Sequence, residues 1–512
     1  MLKRALLFAV LAVSAVAADG TAGHCSGNPK PFAPGAGDWN GWGAESSNSR
    51  YQAKPGLVAA DIPKLKVKWA FGFPNDMRAV GQPAVLGGRV FVGSQGGTVY
   101  SLDASTGCIY WSFDAGGIVR TGINVERVSG QWIAYFGDGK GIAHALDAQT
   151  GMELWKVKLD EHPLARVTGT PVYLNGRLYF PLASGEELGS QQPKYECCTF
   201  RGSLSVLDAK TGKVIWKTYT VPDPAKQYKT LPDGTKLLGP AGAGLWSAPT
   251  IDEKRKRIYI GSGNSYTGVD IHTSDSIIAF DLETGALLWA NQITPNDNWI
   301  PGCPKSALCP DNPGDDYDFG SSTILRSIGG KSILVATQKS GVVYGLDPDD
   351  KGKILWKTRL GVGTGLMGGI AWGAASDDQN IYAAISDVNR PDGMPGLYAL
   401  RIGTGEKVWG TPAPKGAGNP AQAAAVTAMP GVVFSSSLGG HLRAYSSKTG
   451  EIVWDFNAAQ DFDTVNQVKA KGGSFNGSGP AVSRGMVFAT SGYGFAGGSP
   501  GNVLLAFSVD GK

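Results

Sequence analysis

The sequence predicts an all-β protein, an eight-bladed β-propeller, and three observations carry that prediction. A motif reading apolar-Asp-x-x-Thr-Gly-x-x-x-Trp recurs along the chain. Its copies are incomplete at the two ends in complementary ways. The composition is rich in Gly (74 of 512 residues) and poor in charge (18%), as befits many short strands joined by tight turns.

The clearest copies are LDASTGCIYW (102–111), LDAQTGMELW (146–155), LDAKTGKVIW (207–216) and FDLETGALLW (280–289). Looser ones lie at 346–356, 400–409 and 445–454. An eighth, LLAFSVDGK (504–512), stops before its Trp, and the missing strand stands at the other end as LKVKWAFGF (65–73), with Trp69. A ring closed by pairing the first strand with the last accounts for both fragments and gives eight blades. Each copy reads as strand, Thr-Gly turn, strand. The Gly permits a positive φ, and the Trp packs between blades as a large apolar surface. The eight repeat Trp are therefore structural.

The simplest blade is 82–113, with strands A (QPAVL), B (RVFVGS), C (TVYSLD) and D (CIYWSF). Strands alternate in direction, so B–C and D–A connections share one face and the Thr-Gly turns lie on the other. Insertions gather on the first face: the B–C connection spans 185–202 in the third blade and about 263–275 in the fourth, and the D–A connections after Trp216, Trp289 and Trp356 are long. Function on rigid scaffolds resides in such loops.

The chain divides into a signal segment (1–17), an N-terminal extension (18–64) and the propeller (65–512). Lys3 and Arg4 precede an apolar stretch too short to span a bilayer, and Ala15-Val16-Ala17 supplies a small-residue cleavage site. Export is expected, to the periplasm or beyond, with no membrane span in the mature chain. Net charge is +4, two units of it from Lys3 and Arg4. No basic run with interleaved aromatics points to nucleic acid. No Cys-x-x-Cys-His predicts covalent haem, and no strand-Gly-x-Gly-x-x-Gly-helix unit predicts NAD.

On the loop face, Glu187 follows strand B of the third blade, Asn264 takes the same place in the fourth, and Asp270 comes after it in GVDIHTSDS. Two carboxylates and an amide converging there are hard ligands suited to Ca²⁺, although each singly reads as a solvated loop residue. Asp270 and Asp275 share the loop. Spacing from Ser276 favours Asp270 as the functional group and Asp275 as a loop-fixing residue that bonds backbone N–H groups. Trp246 and Trp372 are not repeat Trp. They either stack a planar ligand in the funnel or plug it. Lys339 aims a cation at this face, with Arg120, Thr168 and Arg201 near strand starts or loop ends.

Six Cys in an exported chain predict disulfides. Adjacent Cys197 and Cys198 either bond to each other, closing a small ring of the kind found at functional sites, or stay apart; the vicinal bond is preferred. Cys303 and Cys309 are expected to clip the loop after Trp289, which leaves Cys25 and Cys108 for each other.

The segments SGEELG, GLWSAPTID, IYIGSGN, ECCTFRGSLSVLDAKTG and WNGWGAESSNSRYQ together resemble the pyrroloquinoline quinone (PQQ)-dependent alcohol dehydrogenases, nearest their polyvinyl alcohol dehydrogenase branch. The resemblance covers nearly the whole chain after the signal segment. It implies Glu187, Asn264 and Asp270 as Ca²⁺ ligands, Asp270 also as catalytic base, and Lys339 as a catalytic cation at the quinone oxygens. It implies Trp246 against one face of PQQ and the Cys197–Cys198 ring against the other; Trp372, from its repeat position, is expected to contact the cofactor as well. Arg120, Thr168 and Arg201 would meet the PQQ carboxylates. The implied reaction oxidises an alcohol, secondary and polymeric or bulky, and passes electrons to a separate cytochrome c. One departure stands out: in the methanol and ethanol dehydrogenase branches the Cys pair precedes the Glu, whereas here it follows Glu187 by ten residues. The competing expectation is a non-catalytic periplasmic scaffold resembling the outer-membrane assembly lipoprotein. It would show neither converging ligands nor funnel Trp.

Overall fold

The computed structural model describes residues 23–27, 30–363 and 366–512; the signal segment lies outside them. Eight antiparallel sheets follow one another around a ring, seven of four strands and one, in the third blade, of five. The last blade is composite: Ala481–Ser483, Met486–Ser491 and Val503–Val509 are completed by Leu65–Gly72 from the start of the propeller. Leu65 pairs with Val509 and Gly72 with Val503, which is the predicted closure.

The repeat motif explains itself in contacts. Its Asp accepts the Thr N–H and O–H, at 2.8 and 2.9 Å for Asp147–Thr150 and 2.8 and 2.7 Å for Asp208–Thr211. The Gly that follows has φ near +75° (Gly107 77°, Gly405 71°). It also lies flat against the Trp of the preceding blade: a Cβ on Gly107 would meet Trp69 at 2.8 Å, and one on Gly285 would meet Trp216 at 2.4 Å. Six of the repeat Trp also donate Nε1–H to a carbonyl of the next blade, as Trp69 does to Ala104 (3.0 Å) and Trp454 to Leu65 (3.1 Å). One motif thus builds the turn, the blade and the blade-to-blade joint.

The extension before the propeller is not a tail. Residues 39–52 run around the central channel and touch the blades in order. Trp39 exchanges backbone hydrogen bonds with Val85, and the Asn40 side chain bonds Val125. The carbonyls of Ser46, Ser47, Ser49 and Arg50 then accept from Ile251, Leu325, Ser376 and Ala428. Gln52 reaches Val482 of the last blade. This segment satisfies strand-A backbone groups that would otherwise face the channel unpaired, and it closes the channel below the loop face.

Three disulfides are present: Cys25–Cys108, Cys197–Cys198 and Cys303–Cys309. The first ties residues 23–25 along the outer edge of the first blade, where Cys25 N–H donates to Ile109. No helix among the described residues is long and apolar enough to cross a membrane.

Candidate active site

A cavity of about 280 Å³ opens on the loop face at the ring axis, near the lower end of the usual size for small-molecule sites. Its lining comes from connections of different blades. Glu187, Asn264 and Lys339 stand in B–C connections of the third, fourth and fifth blades. Trp246, Asp318 and Trp372 stand in D–A connections.

One wall is anionic. Asp318 Oδ1 accepts the Asn264 backbone N–H (2.8 Å), and its Oδ2 pairs with Lys339 Nζ at 2.5 Å. Lys339, nearly buried, also bonds Asp316 Oδ1 at 2.9 Å. Behind them Asp297 accepts the N–H groups of Asp316 (3.1 Å) and Tyr317 (2.6 Å), while its carbonyl accepts from Ser265 (3.0 Å). Asp297 thereby fixes the segment that carries Asp318 with its buried carboxylate and the one that carries Asn264 with its backbone carbonyl. Burial and the neighbouring Asp318 charge push Glu187 up to about 8, against the pull of Lys339. Burial alone would lower the Lys339 pKa, but Asp316, Asp318 and Glu187 together raise it, so the ammonium is permanent.

A second wall is cationic: Arg78, Arg120 and Arg166 line it. Arg166 is placed by a short bridge, Ala165–Arg166 pairing with Ser184 and Ala183 at the end of the third blade's strand B. Its guanidinium packs over Gly185, where a Cβ would meet it at 2.3 Å. Arg120 lies over the Trp372 ring, 4.7 Å from its centroid. Thr168 lines the same side, and its buried Oγ1 has no hydrogen-bond partner. Between the walls stand Trp246 and Trp372, edge to face at 5.3 Å. Gly320 leaves room for Trp246, since a Cβ there would overlap its ring. Trp372 Nε1 donates to Asn476 (2.7 Å).

Several expected positions are corrected. Asp270 is exposed and does not line the cavity. The loop carrying it turns outward after Tyr266, and Asp318 from a different insertion stands in the cavity instead. Asp275 is wholly buried, but neither carboxylate oxygen bonds any N–H group, so it is not the loop fastener its position suggested. Arg201 lies outside the cavity, donating to the Val221 and Pro222 carbonyls and stacking on Tyr219; Arg166 occupies the wall. The bonded Cys197 and Cys198 are buried in an apolar cluster with Phe200, Leu237 and Tyr266. Tyr266, not the Cys pair, reaches the cavity. That cluster is anchored by Glu186, which accepts from Thr199 and Phe200 N–H and from the Tyr195 hydroxyl. Glu187, Asn264, Lys339, Trp246, Trp372, Arg120 and Thr168 do meet at the cavity. Asp318 was findable: DDYDFG stands just before strand A of the fifth blade, the same placement that singles out Trp246 and Trp372.

Comparison with known proteins agrees with this architecture. The family model described as Outer membrane protein assembly factor BamB matches residues 49–192 and 273–494. A polyvinylalcohol dehydrogenase of Pseudomonas sp. is 45% identical over 511 residues, covering 95% of this chain and 80% of the relative. One from Sphingopyxis sp. (strain 113P3) is 42% identical over 522 residues, covering 96% and 79%. The structure of a quinohemoprotein alcohol dehydrogenase from Pseudomonas putida HK5 superposes with TM-score 0.74 at 19% identity, over 93% of this chain and 81% of that one, which shows the shared fold. The propeller model fits the repeat, and the two long, close relatives decide between scaffold and enzyme: the chain belongs to the PQQ-dependent alcohol dehydrogenases, on their polyvinyl alcohol dehydrogenase branch.

Proposed function

We propose that this enzyme oxidises a secondary alcohol of polymeric or bulky kind, in the periplasm, with PQQ and Ca²⁺ bound in the axial cavity, and that a separate soluble cytochrome c takes the electrons. The observation that carries the reading is the polarity of the cavity: oxygen ligands and a lysine on one wall, arginines on the other, indole rings between.

The residues fit both groups. Glu187, the Asn264 side chain and Asp318 form a hard-oxygen donor set suited to Ca²⁺. Burial first, and then the neighbouring Asp318 charge, raise the Glu187 pKa, and a bound divalent ion would act in the opposite direction. Arg120, Arg166 and the unpartnered Thr168 hydroxyl offer charge-assisted bonds to an anionic planar molecule, and Trp246 offers a flat apolar surface. PQQ, when bound, supplies the acceptor for the two electrons of the alcohol.

The chain's own groups do the rest. Asp318, held by the Asn264 N–H and Lys339, is the carboxylate placed to accept the alcohol O–H proton. Lys339 keeps a fixed positive charge beside it and favours negative charge that develops on nearby oxygens. Asp316 and Asp297 hold Lys339 and Asp318 in register. Ile118, Leu188 and Leu366 line the mouth while remaining partly exposed (36%, 45% and 36%), an apolar rim that suits a substrate with a hydrocarbon backbone.

The test is reconstitution. Purified apoprotein is expected to gain dye-linked oxidation of secondary alcohols only when PQQ and Ca²⁺ are both added, with NAD unable to substitute. Full activity without PQQ would overturn the reading.

A further inference from the structure

Below the cavity floor lies a buried charge that the chemistry above does not use. Arg50, in the segment that closes the channel, is 1% exposed. Its Nε donates to the Val426 carbonyl (2.7 Å), Nη1 to the Trp42 carbonyl (2.5 Å) and to Gln82 Oε1 (3.5 Å), and Nη2 to Thr427 Oγ1 (2.9 Å). All four acceptors are neutral. Arg443, another arginine at 1% exposure, instead pairs with Asp455 at 2.9 Å. Burial lowers the Arg50 pKa to about 9, which still leaves it charged at neutral pH.

Its position gives that charge a direction. The guanidinium stacks on Trp42, 4.7 Å from the ring centroid. Trp42 packs with Trp246 and Trp372, and with them, Arg120 and Tyr493 it encloses a small void under the cavity. The order along the axis is therefore Arg50, Trp42, the Trp246–Trp372 pair, then the cavity. Aromatic side chains line the interval and the void between them is small, so the field of Arg50 reaches the cavity with little screening. A buried charge without a counter-charge is costly. The site is nevertheless shaped to keep it: a Cβ on Gly479 would meet Nη2 at 2.5 Å.

We infer that Arg50 is a fixed, uncompensated positive charge beneath the cavity floor that tightens the hold on an anionic cofactor and favours its reduced form. The inference rests on the PQQ reading. Each alcohol oxidised to a carbonyl releases two electrons and two protons. A proton that leaves through Asp318 to solvent leaves the site one unit more negative, and a nearby cation stabilises that state. Arg50 touches no reacting atom and acts only through its field.

Two kinds of variant separate charge from architecture. Arg50→Gln removes the charge, and Arg50→Lys keeps it while losing most of the hydrogen bonds. Gln82→Glu leaves Arg50 in place and sets a carboxylate beside it. PQQ affinity of the apoprotein is read by quenching of tryptophan fluorescence, the midpoint potential by spectroelectrochemical titration, and the fold by thermal unfolding. Arg50→Gln and Gln82→Glu are both expected to weaken PQQ binding about tenfold, the order for one unit charge acting across a few layers of side chains, and to lower the potential. Arg50→Lys is expected to lower thermal stability while keeping affinity and potential near wild type. Should Arg50→Gln fail to fold, Gln82→Glu alone decides. Unchanged affinity and potential in Gln82→Glu, or equal shifts in Arg50→Lys and Arg50→Gln, overturn the inference. A wild type that binds no PQQ overturns the functional reading itself, and this inference with it.

Discussion

The two walls of the axial cavity differ in how they are built. The anionic wall comes from the third to fifth blades, and its groups are fastened to one another: Asp318 to Asn264 and Lys339, Lys339 to Asp316, Asp316 to Asp297. The cationic wall comes from connections leading into the first three blades, and its arginines are placed by packing: Arg166 on Gly185, Arg120 on Trp372. A network holds reacting groups to a fixed geometry, as proton transfer demands. Guanidiniums resting on flat surfaces need only the right sign and reach to bind an anion. On the function proposed above, the difference would put chemistry on one wall and retention on the other.

The strongest way to break that division is at Asp318. Asp318→Asn is expected to leave PQQ binding measurable and to lower kcat by about 10²–10⁴-fold, the usual cost of a lost general base. Asp270→Asn, in the exposed loop, should turn over like wild type. Steady-state kinetics on both variants, with fluorescence quenching for PQQ, check the pair; the reverse pattern would restore Asp270 to the site.

Calcium comes next. Chelation is expected to abolish activity and added Ca²⁺ to restore it, whereas Glu187→Gln should need a far higher Ca²⁺ concentration for half-maximal rate. A calcium titration of dye-linked activity measures both.

On the other wall, Arg166→Ala and Arg120→Ala should weaken PQQ binding by roughly ten- to a hundredfold each, as expected for lost charge-assisted hydrogen bonds, with kcat at saturating PQQ little changed. Arg201→Ala, outside the cavity, should leave PQQ affinity alone. If the arginine variants lose kcat rather than affinity, the division of labour fails.

The smallest effect sharpens the comparison with a carboxylate remote from both walls. Burial pushes Glu126 in the second blade up to about 7, opposed by a hydrogen bond from Asn40 (2.9 Å). Its folded pKa lies above the unfolded value, so its contribution is fully present below about pH 4.5 and is lost as pH rises through about 7. Glu126→Gln should therefore gain thermal stability relative to wild type as pH goes from 5 to 8. Paired melting curves across that range would show it, and a constant difference would refute it.

The sequence by itself determined the ring. Asp-x-x-Thr-Gly-x-x-x-Trp carries its own turn, its own hydrogen bonds and its own docking surface, so blade number, strand order and closure through Trp69 could be read from local chemistry repeated in register. It also located Glu187, Asn264, Lys339, Trp246 and Trp372, because these sit at fixed distances from strands that the repeat defines. Only the tertiary structure decided which members of the long insertions face the axis. Asp270 and Asp318, or Arg201 and Arg166, cannot be told apart by counting, since an insertion has no period and its path depends on what it packs against. The hairpin of Lys226–Thr230 and Lys236–Gly239, which bridges to Cys197, and the apolar cluster around Tyr266 pack beside the loop that turns outward, while Asp297 pins another inward. Arg50 is the extreme case. Nothing local marks it, and it becomes a buried, unpaired charge only because 39–52 circles the channel and meets the last blades there.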